Sequence, residues 1–351
     1  MKLHIPFAIA VMLMPLTALA ACGSANGGGA TAGHHAGQVI APASPRVASR
    51  RALYSTSQRC GAGAAETLAR TVGLVARRIY ANELGSAEVF KDKHQVESYG
   101  PLLSALESGN RAAIREAVTR LVYSHTHIVR LRVTRGSEVL ADVGGPQILA
   151  PAGGTLRQRG RTLGRYLLSV QDDLGYVKLV SRFIGVKLVL NAGGHALSIE
   201  GAVNPGSTKI AAHGQFTYRG KRYQVFSFSA RAFPSGGLRI ALLVPVTGSP
   251  SHKTCAAIKM AELRRVAERV SHRFTLSPSN FDSYIRATAP LTGGLLYIRA
   301  GSHQFAGNSQ PAPAKLPHQG TITYRGSSYG ASLFVAPSQA GQVRIYQLVH
   351  Q

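Results

Sequence analysis

Hydrophobic and polar positions follow one pattern three times along the chain. Each copy begins with a glycine, reaches an Arg-Gly pair, and continues through a long apolar-rich strand, a tight turn and a last strand. Because glycine adopts a positive φ without steric cost, each Arg-Gly pair suits a hairpin turn. In the first copy the second turn falls at Asp173–Gly175. The pattern predicts three antiparallel three-stranded meanders, at residues 154–180, 214–244 and 320–349.

A hairpin precedes each meander. Apolar and polar residues alternate from His127 to Val133, which predicts a half-buried strand. Residues 138–143 are predicted to form the returning strand of the hairpin. Similar hairpins occur at 186–199 and from 295 onward. The last strand of a meander can lie beside the first strand of its hairpin. The sequence therefore predicts three five-stranded sheets, for which the order 2-1-5-4-3 fits.

In the segments before the first and third hairpins, apolar residues recur with helical periodicity. Leu68, Val72, Val75 and Ile79 form one stripe of a 3.6-residue period, which predicts a long N-terminal helix. Shorter helices follow, one of them starting after the plausible N-cap residue Asn110. A further helix opens before the third sheet. The predicted fold class is α+β, with tandem antiparallel five-stranded sheets, a long N-terminal helix and a second helix before the last sheet.

The first 21 residues have the features of a secretory signal: a positive start at Lys2 and an apolar run to Leu19. The sequence Leu19-Ala20-Ala21 directly before Cys22 resembles the bacterial lipobox. This resemblance implies that Cys22 carries lipid and anchors the chain on the extracytoplasmic face of the cell membrane. A plain secreted protein and a transmembrane anchor remain alternatives, although a span needs about 20 apolar residues.

Composition changes mark the further boundaries. Residues 22–58 are rich in Gly, Ala, Ser and Pro, which predicts a flexible tether. The folded part divides into helices with a first sheet at 59–185, a second sheet at 186–250, and a helix with a third sheet at 251–351. We expect no transmitter module, since the chain ends after the last predicted strand.

The chain carries a formal net charge of +25, from 40 Lys and Arg against 15 Asp and Glu. This charge favours contact with anionic surfaces such as phospholipid head groups or wall polymers. Scattered arginines and the lack of Trp argue against a nucleic-acid partner. A generally basic proteome is an equal alternative explanation for the charge.

Three cysteines are present. If Cys22 carries lipid, Cys60 and Cys255 remain, and an even remainder outside the cytoplasm indicates one disulfide. Both residues precede helical patterns, so that the bridge would tie together the starts of two helices. Two free thiols are the alternative.

The layout of helices, hairpin, connection and meander over residues 65–183 resembles an extracytoplasmic Cache (PDC) sensor domain, which is PAS-like. The segments that carry the resemblance are Tyr123–Val133, Val139–Gly145 and Gly164–Asp172. It implies a small-molecule pocket between the sheet and its loop-helix connection. The chain departs from the family in lacking a following membrane helix and any Trp, which leaves the ligand open.

Two groups of residues are candidates to line that pocket. His125 and His127 share the phase of the core-facing residues of the first strand, where they could also share a metal, although no further ligand lies near in sequence. We predict no metal and no cofactor. In PAS-like sheets the long meander strand faces the pocket, and a buried arginine there would clamp a carboxylate. An arginine at the sheet margin, in contact with water, is an alternative of at least equal weight. The candidate residues on this strand are Arg165, Tyr166, Ser169 and Gln171, and Arg157 on the strand before it is a further candidate.

Three functions follow from these expectations. The preferred hypothesis is a lipid-anchored binding protein for a small anionic metabolite, which presents its bound state to a separate membrane partner or acts as a scavenger. The second is an envelope scaffold that docks on acidic lipid or wall polymer. A hydrolase ranks last, because no catalytic motif such as Gly-x-Ser-x-Gly or His-Glu-x-x-His is present.

Overall fold

A computed structural model describes residues 59–61, 63–124, 127–145, 148–206, 208–233, 236–246, 251–301, 303–306, 311–339 and 341–351. These residues belong to one compact unit, Thr56–Gln351. The unit combines helices with antiparallel sheets, which confirms the predicted α+β class. The predicted signal, the tether and the lipid-bearing Cys22 lie outside the described residues.

Four helices precede the first sheet. The elements of this half are β1 (Arg59–Gly61), α1 (Ala64–Leu84), α2 (Ala87–Ser98), α3 (Gly100–Ser108), α4 (Arg111–Ser124), β2 (Arg130–Arg135), β3 (Glu138–Gly144), β4 (Ile148–Leu149), β5 (Ala152–Gln158), β6 (Arg161–Ser169) and β7 (Gln171–Asp172).

Two further sheets follow, with helices before each. Their elements are α5 (Asp173–Phe183), β8 (Lys187–Ala192), β9 (His195–Ala196), β10 (His213–Tyr218), β11 (Lys221–Phe233), β12 (Gly236–Pro245), β13 (Ser251–Thr254), α6 (Cys255–Ser271), α7 (Phe281–Thr292), β14 (Gly294–Ala300), β15 (His303–Ala306), β16 (Gln319–Tyr324), β17 (Ser327–Ser338) and β18 (Gly341–His350).

The second and third sheets have the predicted strand order. The third runs β15-β14-β18-β17-β16, which is 2-1-5-4-3 in the order of its own strands. In the second, β9-β8-β12-β11-β10 repeats this order, and the short strands β4 and β7 extend it along the far part of β11. Two helices, α6 and α7, precede the last sheet where the sequence predicted one.

The first sheet lacks the predicted fifth strand. Its order is β3-β2-β6-β5, so β2 pairs directly with β6. The predicted turn at Asp173–Gly175 and the strand after it are instead helix α5. Asp172 caps this helix by accepting from the Gly175 N–H at 2.6 Å, and the buried residues Tyr176, Val177 and Val180 have helical spacing.

The three Arg-Gly turns have the same backbone conformation. Arg159, Arg219 and Arg325 have φ of 48°, 49° and 50°, and the glycine after each is also left-handed. Positive φ at both central residues is the type I′ geometry of a two-residue hairpin, in which Asn-Gly is the preferred sequence. The repeat was therefore correctly identified as a hairpin signal, with arginine at an unusual position.

The described residues form two large apolar cores and two smaller clusters, the smaller ones on the second and third sheets. One core joins α1, α5, α6 and α7 to the inner faces of the second and third sheets, and includes the predicted stripe residues Val72, Val75 and Ile79. The other fills the space between the first sheet and helices α2–α4. Helix α1 thus packs with the later sheets, while the domain boundaries at 185/186 and 250/251 stay predictions.

The disulfide joins Cys60 to Cys255, as the cysteine count predicts. Cys255 is the first residue of α6, and Cys60 lies in β1 just before α1. Strand β1 pairs with β13 beside the bridge, which brings the two helix starts together. Closing a loop over a chain separation of 195 residues raises the free energy of the unfolded state by about 5 kcal/mol in the chain-entropy model.

Polar contacts hold the first sheet against the second. Asp142 accepts from the guanidinium groups of Arg130 and Arg132, and both guanidinium carbons lie over the ring of Phe233 in β11, at 4.6 and 4.1 Å. Burial disfavours the ionised carboxyl of Asp142, but the hydrogen bonds and charges of the two arginines outweigh it and lower its pKa.

Candidate functional site

A groove of about 820 Å³ lies between helix α1 and the strands β10 and β11 of the second sheet. Its helix side carries charged residues, and its sheet side carries aromatic, amide and hydroxyl groups. The lining residues are Glu66, Ala69, Arg70, Arg77, His213, Gly214, Gln224, Val225, Phe226, Ser227, Phe228 and Ser229.

The floor of the groove depends on Gly73, in the middle of α1. A Cβ atom at this position would lie 1.9 Å from Cδ1 of Phe226. Glycine inside a helix costs about 1 kcal/mol relative to alanine, so its presence here is explained by the close approach of the Phe226 ring. Helix α1 is further fixed by Tyr80, two turns later, whose hydroxyl bonds the backbone of Arg231 and accepts from the Ala150 N–H.

Positive charge lies on the same helix face as Gly73. Arg70 and Arg77 are three residues before and four residues after it, a spacing that places all three on one side of the helix. Arg70 forms an exposed ion pair with Glu66 at 3.2 Å. Arg77 forms no ion pair with any residue that the structure describes, so the groove has one uncompensated guanidinium.

His213 completes the aromatic part of the groove. Its imidazole packs edge-on against the Phe226 ring, with centroids 5.1 Å apart. The Ser227 hydroxyl, by contrast, donates to the Ala212 carbonyl at 2.9 Å and accepts from the Arg239 Nε at 3.1 Å. The serine and the histidine are therefore engaged with different neighbours rather than with each other.

A short stretch of β11 beside the groove has no paired strand along one edge. Strand β10 pairs with β11 up to Phe226, and β4 pairs with it from Ala232 onward. Between them, Ser227 N–H bonds the Ala212 carbonyl and Arg231 N–H bonds the Tyr80 hydroxyl. By the alternation of an antiparallel strand, the N–H and C=O of Ser229 point to that same edge. Neither has a partner there within the described part of the chain.

The candidates on the first sheet do not form one site. Tyr166 is buried and donates to the Glu97 carboxylate at 2.6 Å, and its burial and this carboxylate raise its pKa. Ser169 is buried and bonds the carbonyls of Leu149 and Gln171, while the Gln171 amide donates to the Asp172 carbonyl at 3.3 Å. These three side chains bond within the protein.

Arg157 and Arg165 are exposed, in keeping with the alternative of arginines at a sheet margin in water, whereas Ser169, which shares the strand phase of Arg165, is buried. Tyr166 and Leu168 occupy the core face of β6, so Arg165, which alternates with them, lies on the other face. His127 is half-buried, with Nε2 at 3.7 Å from a Glu88 carboxylate oxygen. His125 lies outside the described residues. The ligand-binding roles of these residues stay predictions.

In the ranges that the structure describes, no three His, Cys, Asp or Glu side chains lie close enough together to hold a metal ion. None of the helices in those ranges combines the length and the apolar character that crossing a membrane requires.

No protein-family model and no curated protein matches this chain. Among solved structures it is similar to the ligand-binding domain of the Pseudomonas fluorescens chemoreceptor CtaA in complex with L-alanine, with 11% identity and a TM-score of 0.29 over 51% of this chain and 96% of that one. The ligand-binding domain of Mlp24 with asparagine gives 14% identity and a TM-score of 0.30, over 52% and 95%. A domain of a sensory box/GGDEF family protein from Vibrio parahaemolyticus gives 10% and 0.31, over 52% and 96%.

Proposed function

We propose that this protein binds a small anionic molecule without transforming it, and that the binding site is the groove between α1 and β11. One observation carries the proposal: the uncompensated guanidinium of Arg77 lies beside an aromatic floor that Gly73 makes possible. Arginine binds carboxylate and phosphate groups through two parallel hydrogen bonds. The backbone N–H of Ser229 adds a further donor at the edge of β11.

The size and lining of the groove favour a small molecule. Ligand pockets of about 300–1,000 Å³ are typical of drug-sized ligands, and the groove of about 820 Å³ falls in this range. A planar or apolar part of the ligand would lie on the rings of Phe226 and His213. Its anionic group would lie towards the arginine side of α1.

Binding is favoured over hydrolysis by the hydrogen bonds of Ser227. A serine nucleophile needs a base within hydrogen-bond reach, and the Ser227 hydroxyl instead bonds Ala212 and Arg239. We therefore place the chain among binding proteins. In the setting that the sequence predicts, lipid on Cys22 would hold it outside the cell, where a separate membrane partner would respond to the bound state.

The first sheet is a weaker candidate for this role than the second. Apolar side chains fill the space between that sheet and α2–α4, and Arg157 and Arg165 lie on the exposed side. The groove of the second sheet instead combines an arginine, a ring floor and an open strand edge. The proposal therefore moves the predicted site from the first sheet to the second.

Isothermal titration of the full chain with a panel of small anions tests the proposal. The panel contains dicarboxylates and phosphate monoesters, and the zwitterions L-alanine and asparagine are added for comparison because each has a carboxylate but no net charge. Arg77→Gln should weaken binding of any panel ligand about 10- to 100-fold, since a hydrogen bond to a charged group contributes about 1.5–3 kcal/mol. Arg286→Gln, which removes an exposed charge from α7, should leave the affinity unchanged.

Two results would contradict the proposal. If no carboxylate or phosphate of the panel binds, the proposed anionic ligand class is wrong. Equal affinity of wild type and Arg77→Gln for a ligand that does bind would place its site elsewhere.

A further inference from the structure

One end of the first sheet carries a concentration of arginine. Strand β2 pairs antiparallel with β6 from Arg130↔Ser169 to Thr134↔Arg165, so the end of β2 lies beside the start of β6. Residues 161–163 and the β5–β6 turn therefore extend beyond the last residue of β2. The β5–β6 hairpin that ends in this tip carries Arg157, Arg159, Arg161 and Arg165, all of which are exposed, and is called the arginine hairpin.

Within the strands of this sheet, the acidic residue at this end is already paired. Glu138, at the start of β3, forms an ion pair with Arg111 of α4. Arg135, at the base of the hairpin, donates to the carbonyls of Leu163 and Leu106. The four residues of the arginine hairpin form no ion pair with any side chain in the described ranges. They leave about four positive charges on one hairpin, with Arg165 beside β2 and the other three nearer the tip.

The surroundings of Arg159 distinguish this tip from the other two. An L-residue in the left-handed region costs about 1–2 kcal/mol, and Asn or Gly would suit this turn position better. At the equivalent positions, the guanidinium groups of Arg219 and Arg325 lie over the rings of Tyr218 and Tyr324, at 5.3 and 5.7 Å. Arg159 follows Gln158, which offers no ring, so its charge is not directed onto a neighbouring side chain.

We infer that the arginine hairpin docks on an anionic phospholipid bilayer. A projecting tip fits a flat surface, whereas a groove would be needed to follow a polymer chain. Basic residues close to such a bilayer each strengthen binding about fivefold. The lipid predicted at Cys22 would place the protein beside this surface, and the two attachments would act together.

Co-sedimentation with vesicles tests this inference. The full chain is mixed with vesicles of phosphatidylcholine alone and with vesicles that contain phosphatidylglycerol, and the ratio of the two partition coefficients is measured. This ratio cancels any contribution of residues 1–21 that does not depend on lipid charge. The variant Arg157→Gln, Arg159→Asn and Arg161→Gln removes three charges, and asparagine suits the turn. We expect the ratio to fall roughly 100-fold, about fivefold per charge.

The matched control removes the same charge elsewhere. Lys178→Gln, Arg286→Gln and Arg344→Gln replace three exposed cations outside the hairpins, and should lower the ratio less than fivefold. An equal loss in both variants would overturn the inference, because net charge alone would then explain binding. An unchanged ratio in the hairpin variant would overturn it as well, as would charge-dependent binding to soluble heparin without binding to the vesicles. Titration of the hairpin variant with groove ligands should match wild type, so the outcome is independent of the proposed function.

Discussion

Replacing Gly73 by alanine tests the contact on which the groove depends. Two effects oppose each other at this position. Alanine favours the helix by about 1 kcal/mol, because glycine loses more conformational freedom on folding. The new methyl group, however, would lie 1.9 to 2.5 Å from three atoms of the Phe226 ring, which is closer than carbon atoms can approach.

The second effect should be the larger. Inserting a methyl group into a well-packed region costs about 1–3 kcal/mol, since the ring must rotate or the helix must shift. We expect Gly73→Ala to lower the free energy of unfolding by about 1 kcal/mol. In a Phe226→Ala background the steric conflict is gone and only the helix preference remains. There the same substitution should raise the free energy of unfolding by about 1 kcal/mol, which gives a coupling of about 2 kcal/mol.

Urea unfolding of the oxidised full chain measures this coupling from shifts in the midpoint at constant slope. Gly85→Ala is the matched control, because Gly85 ends the same helix and a Cβ there meets nothing within 4 Å. It should change the free energy of unfolding by less than about 0.5 kcal/mol. A stabilising Gly73→Ala in the wild-type background, or the same effect in both backgrounds, would refute the proposed contact.

Two further predictions concern the sheet junction and the helix that replaced a strand. Asp142→Asn should lower the free energy of unfolding by about 1–3 kcal/mol near neutral pH, because it breaks charge-assisted bonds to Arg130 and Arg132. The pKa of Asp142 is lowered in the folded state, so this contribution is present above the unfolded pKa of about 4 and is lost as pH falls through the folded pKa. Urea titrations from pH 7 to 3 check it, and a pH-independent difference would contradict it. Asp172→Ala should lower the free energy of unfolding by about 1 kcal/mol, because it removes the cap of α5. Asp172→Asn should lower it by less, because asparagine can still accept from the Gly175 N–H. Equal losses in urea unfolding would show that the cap does not contribute.

The sequence predicted the sheets well where each strand repeats the same local signals. The second and third copies contain a turn glycine, alternating apolar residues and a final strand, and the structure has the predicted order in both. In the first copy, the prediction of a final strand after Asp172 is wrong. Alignment with the other copies favoured a strand there, but the capping aspartate and the spacing of Tyr176, Val177 and Val180 were signals of a helix.

The site was harder to predict than the fold, because its two sides are far apart in sequence. Arg77 on α1 and Ser229 on β11 come together only when the helix packs on the second sheet. One local signal was available: Gly73 interrupts the apolar stripe of a long helix, where a close approach is a common reason for glycine. Its partner, Phe226, could not be identified without the structure.

The short strands β4 and β7 have a mechanical consequence for the whole unit. Both belong to segments that leave the first sheet, yet they complete the edge of the second, through β4 on β11 and β7 on β4. The first sheet therefore cannot move as a separate lobe unless the backbone hydrogen bonds at this edge of the second sheet break. Any movement of one sheet in response to a ligand would be transmitted directly to the other through these backbone bonds.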